Sequence, residues 1–526
     1  MSRPGFVLEV DERTPPLLVH KGEGFGLERF PLGTRVIYPP ESLPALPDLR
    51  AAIADALENP VDSEPLRVLL RADMRLTIAF DDLSLPLPPM QTPDVRQLVI
   101  EQVLELAAAA GVDDVELVVA NALHRRMTGP EIERIVGSRV FKSFWPHALT
   151  NHDAEDRDNL LHLGTTSLDE DVEVNKRAAT SDLIVYVNVN LVAMDGGWKS
   201  TAIGLASYNS LRHHHNPQTM LHSTSFMDPK KSELHSSAWR MGHVLQEHVR
   251  VFQIETTLNN QAFPSAYSFL TKREWEWSPK DTALFHGVKR GLDAAPTRLR
   301  KKVFRDLTAD YGVTSIQAGA VEPVHELTVA NVHRQQLVEV QGQTDVLVIG
   351  LPYLCPYNVN STAMNPILAM CLGLGYFFNM YRNKPLVRKG GALILHHPVP
   401  WEFDQLHHPS YVDFFEEVLT ESTDPVVISE RFEKQYATDP WYIHLYRTSH
   451  AYHGVHPFYM WYWGAHALDH LGEVIWVGAH RKAVERMGFR AASTMMDALE
   501  MSKDTVGPAP SISYLHSPPH ALADVR

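Results

Sequence analysis

Three consecutive histidines, His213-His214-His215, form the most conspicuous titratable cluster of the chain. Adjacent side chains on a helix point about 100° apart, so at most one of the three can ligate a given metal. The competing reading is a polar helix end, where a protonated imidazole complements the dipole. Upstream, Gly196-Gly197-Trp198-Lys199-Ser200 is a glycine-rich turn that carries a lysine. It does not match G-x-x-x-x-G-K-[ST], so it is no Walker loop. Its glycines would let backbone approach a ligand, and its lysine would supply a cation or an amine nucleophile. An ordinary turn with an exposed lysine accounts for the same residues. His124, within Leu-His-Arg-Arg-Met-Thr, suits a general base or a hydrogen-bonded packing residue. Asp81-Asp82 can orient a hydroxyl or a cationic ring, or make an Asx turn ahead of Pro86. His396-His397 and His407-His408, with Trp401 between them, have no diagnostic spacing. No G-x-S-x-G, H-E-x-x-H or strand-borne G-x-G-x-x-G is found, which weighs against serine hydrolases, zincins and dinucleotide enzymes.

These side chains act together only if the fold delivers them to one place. Residues 75–80 (RLTIAF), 115–120 (VELVVA) and 182–190 (DLIVYVNVN) read as buried strands, and each runs into one of the candidates. Thr92-Pro93 reads as the start of an amphipathic helix that Gly111 stops, and Thr128 with Glu131 has capping-box spacing. Later strand-like runs lie at 314–318, 345–350, 392–395 and 474–477. The alternation predicts an α/β fold of two α/β domains with mostly parallel sheets. Ligands in such sheets bind beyond the carboxyl ends of the strands, so Asp81-Asp82, His124 and Lys199 are expected at one crevice. The basic segment 286–305 reads as a solvated helical connector, which places a boundary near 290. The expected division is a cofactor-binding domain over 1–290 and a substrate domain over 291–485, with the cleft between them. Residues 486–526 would return toward the first domain, through a helix at 493–501 and a Pro-rich, frayed tail at 508–519.

Composition narrows the function. Apolar residues make up 44% and charged residues 21% of 526, which is globular and excludes disordered, collagen-like and coiled-coil chains. A net charge of −15 argues against a nucleic-acid backbone or an anionic membrane as partner. Cys355 and Cys371 are the only cysteines, too few for a disulfide framework or a Cys-rich metal site, and they fit a reducing cytoplasm. No apolar run has bilayer length, and the first fifteen residues have no apolar signal core. A cytoplasmic protein without a nucleic-acid or membrane partner is expected.

Taken in order, several segments resemble the nickel-pincer lactate racemase family. Its D-D-x-T-R-P has its counterpart in Asp81-Asp82-Leu83-Ser84-Leu85-Pro86, and its A-x-G-x-H-R-x-x-T in residues 120–128, ending in Thr128. His152-Asp153, Leu163-Gly164-Thr165-Thr166 and Asn175-Lys176 follow in place. G-G-x-K-S corresponds to Gly196 through Ser200, and H-x-P to His215-Asn216-Pro217. The likeness runs from about residue 15 to 290 and, more weakly, to 507. It implies a pyridinium mononucleotide cofactor holding nickel in an S–C–S pincer, linked to Lys199 as a thioamide. By the same resemblance His215 ligates the nickel, and Asp82, Ser84, Gly196 and Gly197 help bind the nucleotide. His124 is then the base that takes the hydroxyl proton while the α-hydrogen moves as hydride to the pincer ring. The implied partners are a small hydroxy substrate and the proteins that make the pincer cofactor.

The departures are equally specific. Leu85 replaces the family's arginine, and Asn188-Val189-Asn190 stands where a second histidine base belongs. Residues 360–364 resemble the family's Y-Q-S-x-K segment, but Ser361 and Met364 replace its glutamine and lysine. The cofactor-holding residues remain and the lactate-handling ones do not. The expected enzyme is therefore a racemase or epimerase of a hydroxyl-bearing carbon other than lactate's, with His396 or His397 as a possible replacement base. Neutral donors Asn188, Asn190, Asn358 and Asn360, and side chains near Trp401, would hold its substrate. The alternatives are another hydride-transfer reaction on the same cofactor, a non-catalytic carrier of the nucleotide, and a zinc hydrolase built on the His-rich loops.

Overall fold

Buried parallel strands read as continuous apolar runs because both faces are covered, and that is how the first sheet is built. The computed structural model describes residues 5–526; residues 1–4 of the expected first domain lie outside it. The expected strands form as Arg75–Asp81, Asp114–Ala120 and Leu183–Asn190. All eight residues of Leu183–Asn190 are buried. It lies between Arg75–Asp81 and Arg250–Leu258, parallel to both. The sheet has six strands, with Leu149–Asn151 at one edge and Val313–Gly319, its one antiparallel member, at the other.

The second sheet has seven strands, in the order Phe6–Glu9, Arg35–Tyr38, Ile512–Leu515, Thr344–Gly350, Val387–His396, Glu473–Val477 and Arg490–Ala492. All its pairings are parallel except that of the first two strands. The α/β class with mostly parallel sheets is therefore as expected.

The pairings do not follow the expected boundaries. Val313–Gly319 lies beyond residue 290 yet closes the first sheet, and two strands from the first 40 residues join the second. The Pro-rich tail is not frayed. Ile512–Leu515 sits between Arg35–Tyr38 and Thr344–Gly350, and Leu515 is fully buried. The last segment thus completes the second sheet, and it also meets residues of the 1–290 range, with His516 on Glu274 and the His520 carbonyl on Asn260. The basic connector forms helices Pro279–Ala294 and Thr297–Arg305, and it is not purely solvated: Lys301 is buried against Glu402 and Phe304 faces inward.

Local signals fared as their chemistry suggests. Thr128 and Glu131 close the capping box on helix Gly129–Phe144. Thr92-Pro93 does not start the preceding helix. Asp94 caps Val95–Ala109, accepting from the Arg96 amide, and Arg96 bonds the Asp94 carboxylate in turn. Among the described residues no helix is long and apolar enough to cross a membrane.

Candidate active site

The carboxyl end of Arg75–Asp81 is held by a buried guanidinium. Arg96 Nη1 donates to the main-chain carbonyls of Asp81 and Asp82, at 2.9 and 2.8 Å. That grip fixes both carboxylates. Asp81 accepts from Asn188 Nδ2 and the Val189 amide, each at 2.7 Å, and from the Tyr186 hydroxyl. Burial nevertheless pushes its carboxyl up to about 7. Asp82 takes the opposite course. Burial raises it, but His124 and Ser84 outweigh that and hold it below the usual carboxylate range.

His124 follows the next strand in a tight turn. Its amide donates to the Asn121 carbonyl at 2.7 Å, and Ala122 sits at φ 46°, a left-handed conformation that costs an L-residue about 1–2 kcal/mol. The turn brings His124 Nδ1 to 2.7 Å from Asp82 Oδ2. With Nδ1–H given to the carboxylate, Nε2 is the free base. The ring meets Tyr357 and His456 edge-on, with centroids at 5.2 and 5.4 Å.

Lys199 opens a π-helix, Lys199–Ile203, just after the glycine turn. The glycines serve protein packing more than ligand approach. Gly197 is at φ +59°, and a Cβ there would meet the His325 ring at 2.8 Å. At Gly196 a Cβ would strike Asn190 Oδ1 and Glu255 Oε1. The Gly197 amide donates to Glu255 Oε1 at 2.6 Å, and His325 Nδ1 contacts the other oxygen. The turn is thus pinned from behind and presents Lys199 forward. Lys199 is half-buried, Nζ donating to the Met194 carbonyl at 3.1 Å. Burial pulls its ammonium below the usual range, against the pull of Asp195 and Asp81.

The histidine triplet divides as helix geometry requires, with one addition. Helix Tyr208–His214 ends at His215, and Asn216 caps the next helix, so His215 occupies the corner between them. His213 points to Asp171. His214 is buried with its Nδ1 3.0 Å from Nδ1 of His215. The His215 ring stacks on Tyr459 at 5.2 Å, and burial pushes its imidazole down to about 3, so it is neutral.

One cavity joins these parts. Asp82, Ser84, His124, Gly196, Lys199 and His215 all line it; Gly197 does not. Residues from the second half close it, notably Tyr357, Tyr376 and Trp463. The Tyr357 and Tyr376 hydroxyls lie 2.7 Å apart, and Lys199 Nζ is 5.8 Å from the Trp463 ring centre. Other expected contacts are not brought here. His396 and His397 lie outside the lining, and His397 Nδ1 accepts from the Val399 amide instead. Ser361 bonds His407, Met364 is in the core, and Trp401 bonds Glu416. Of the four asparagines only Asn188 lines the cavity. Asn190 bonds Glu255, Asn358 the Tyr353 carbonyl and Asn360 Glu131. Sequence reasoning missed His20, His520 and the aromatic wall, since nothing local to them marks a site.

Residues 25–228 match the model of the lactate racemase N-terminal domain. The lactate racemase of Lactiplantibacillus plantarum is 24% identical over 168 residues, 31% of this chain and 38% of that protein. The lactate racemase of Thermoanaerobacterium thermosaccharolyticum is 26% identical over 164 residues, 30% of this chain and 36% of that protein. The aligned part therefore spans little more than a third of these relatives. In fold, the chain is similar to the lactate racemase apoprotein from Thermoanaerobacterium thermosaccharolyticum, with a TM-score of 0.61 and 15% identity, over 97% of this chain and 100% of that one.

Proposed function

We propose that this divergent lactate-racemase-like chain holds a nickel-pincer nucleotide and racemises or epimerises a hydroxyl-bearing carbon other than that of lactate. One observation carries the reading: Lys199, His215 and His124, from three separate chain segments, line a single cavity. They are a desolvated amine, a neutral imidazole and a base with a carboxylate behind it.

The donor set fits the cofactor. Among the described residues no three His, Cys, Asp or Glu side chains gather into a metal cage. A metal here would bring most of its donors inside an organic partner, and His215 offers the one neutral nitrogen that nickel accepts readily. Lys199 Nζ has one hydrogen bond to give up, to a main-chain carbonyl, so its amine is available for covalent attachment.

When bound, the nucleotide supplies an acceptor for the substrate hydrogen that leaves as hydride. The chain does the rest. Lys199 anchors, and His215 fixes the metal. His124 takes the hydroxyl proton at Nε2 and returns it, while Asp82 holds the opposite nitrogen and steadies the imidazolium. The wall of Tyr357, Tyr376 and Trp463 limits water. The proteins that make the cofactor are the implied partners, and the cytoplasm the implied compartment.

The test is intact-protein mass spectrometry with metal analysis, on protein made with and without the pincer pathway. A covalent adduct at Lys199 with nickel is expected only with the pathway; bound zinc without an adduct would favour the hydrolase. A second reading, net hydride transfer without racemisation, is favoured by one observation. Val189, ten residues before Lys199, is buried with its amide on Asp81, so no histidine serves the other face there. Chiral analysis with a second carbonyl compound supplied as hydride acceptor separates the two: racemisation scrambles one enantiomer, net transfer turns the substrate to ketone as the acceptor is reduced to its alcohol, and a carrier does neither.

A further inference from the structure

Strand Arg75–Asp81 runs between Leu183–Asn190 on one flank and Asp114–Ala120 on the other. Its last residue and the next one turn to opposite neighbours. Asp81 is tied to the first flank, through Tyr186, Asn188 and Val189. Asp82 is tied to His124, which follows the second. Asp81 and His124 both line the cavity. One strand end thus carries two proton-handling groups into one chamber, a carboxyl on one flank and an imidazole on the other.

The Asp81 carboxylate is held without being filled. Oδ2 accepts from Asn188 Nδ2 and the Val189 amide, and Oδ1 from the Tyr186 hydroxyl at 3.0 Å. An ionised carboxylate has about four acceptor sites, which leaves one, on Oδ1. Its neighbours are engaged differently. Asp82 gives Oδ2 to His124 and Oδ1 to the amide and hydroxyl of Ser84. Asp195 has Lys199 and His325 as its charged neighbours. The charged and titratable groups that face Asp81 are Arg96, Lys199, Tyr186 and the adjoining Asp82. Both cations are spent elsewhere. Arg96 donates to the Asp81 main-chain carbonyl and to Asp94, and Lys199 Nζ to the Met194 carbonyl. Burial therefore prevails and places the Asp81 carboxyl at about 7, where it both takes and releases a proton near neutral pH.

The two enantiomers of a hydroxyl-bearing carbon present their O–H in mirror-related positions to one fixed hydride acceptor, and one fixed imidazole suits one of them. We propose that Asp81 is the second proton acceptor of the cavity, serving the enantiomer whose hydroxyl lies away from His124. This rests on the proposed racemisation. The substrate O–H bond breaks and its proton joins Asp81 Oδ1. The carbon's hydrogen leaves with its electron pair for the pyridinium nucleotide, and the C–O bond becomes a carbonyl. Return of hydride and proton restores the alcohol, with His124 giving the proton when the configuration is inverted. Each conversion leaves one proton more on the acceptor that took it and one fewer on the other, and exchange with solvent evens them.

Two measurements test this. Difference infrared spectroscopy of the full-length chain without cofactor follows the carboxyl band that wild type has and Asp81→Asn lacks; Asp81→Glu assigns the band if the asparagine variant does not fold. The band should titrate near pH 7, and Lys199→Met should move the titration upward by removing a cation. Loaded protein is then mixed in single turnover with (R)- or (S)-mandelate and the absorbance of the nucleotide followed. Asp81→Asn should slow one enantiomer roughly 10²–10⁴-fold more than the other, and His124→Ala should invert that preference. An Asp81 ionised throughout about pH 5 to 9, equal slowing of both enantiomers, or a split that follows Asp195→Asn instead would each overturn the proposal. Wild type unmoved by mandelate, or without a Lys199 adduct, would count against the proposed reaction, and the infrared titration, which needs neither, still decides on Asp81.

Discussion

Asp82 Oδ2 lies 2.7 Å from Nδ1 of His124, and the two residues come from the ends of adjacent parallel strands. The pairing of Asp81 with Ala120 sets that meeting, and Arg96 locks the carbonyls on the aspartate side. An imidazole with one nitrogen committed to a carboxylate has one tautomer, and the other nitrogen faces the cavity as a base.

Asp82→Asn should therefore cost turnover without emptying the site. An asparagine can offer its amide hydrogens to Nδ1 and stabilise the wrong tautomer. The expected loss is roughly 10²–10⁴-fold in kcat, the range for a mis-set general base. Nickel content and adduct mass, measured on the same preparation, should stay near wild type. Loss of adduct along with activity would show that Asp82 acts by holding the nucleotide instead.

How much of this was legible in the sequence depends on the range of the signal. The strands at 75–81, 114–120 and 183–190 are continuous apolar runs, and their carboxyl ends placed Asp82, His124 and Lys199 correctly. The capping box at Thr128 is equally local. The central strand Ile512–Leu515 was hidden because it is four residues long in a Pro-rich stretch and is buried by partners more than 150 residues away. The same holds for His20, His520 and Trp463, whose place on the cavity wall follows from which chain segments meet and not from their neighbours. The glycine turn was half legible. Its glycines are required, but for Glu255 and His325 behind it.

Lys199→Ala should abolish the covalent adduct and nucleotide retention while the fold persists. The ammonium makes one main-chain hydrogen bond, to Met194, and removing a desolvated charge costs little stability. Mass spectrometry and thermal melting on one sample check both halves. A normal adduct on the variant would show that another residue is the anchor.

The three histidines should differ in nickel occupancy. His215→Ala should leave the organic adduct attached and lower nickel most. His213→Ala should change it least, since that ring pairs with Asp171. His214→Ala should fall between, because its Nδ1 touches Nδ1 of His215 and supports its orientation. Equal losses in all three would remove His215 as the ligand.

Arg125 and Glu131 offer a pH test near the cavity. Arg125 is buried, bonds Glu131 at 2.6 Å, and also donates to the Val359 carbonyl, so the pair ties the two halves together. Burial raises the Glu131 carboxyl, yet Arg125 and its other donors win and bring it from 4.5 to about 2. A folded value below the unfolded one stabilises above about pH 4.5, and the gain is lost as pH falls toward about 2. The size is roughly 3 kcal/mol. Denaturant unfolding of Glu131→Gln should show lower stability at pH 7 and a flatter decline between pH 4.5 and 2. An unchanged acid limb would mean that the pair does not carry this dependence.

Lactate should be a poor substrate for the nickel-loaded protein. Leu85 lines the cavity where the related pattern carries an arginine, and a charged hydrogen bond of that kind is worth about 1.5–3 kcal/mol. No arginine lines the cavity, and covalent attachment would spend Lys199, its one lysine. Asp82, held ionised by His124 and Ser84, would then face the incoming carboxylate unopposed. Lactate is also small, so it gains little from burial against the apolar lining of Leu87, Phe263 and Phe304. Each 1.4 kcal/mol is about tenfold in rate, and these deficits together predict at least about a hundredfold slower racemisation of either lactate enantiomer than of a larger hydroxy compound. Leu85→Arg should narrow that gap by restoring a partner for the carboxylate. Enantiomer-resolved chromatography of both substrates on wild type and Leu85→Arg measures it. Lactate racemised as fast as the best alcohol by the wild-type protein would mean that a carboxylate partner exists which this cavity wall does not reveal.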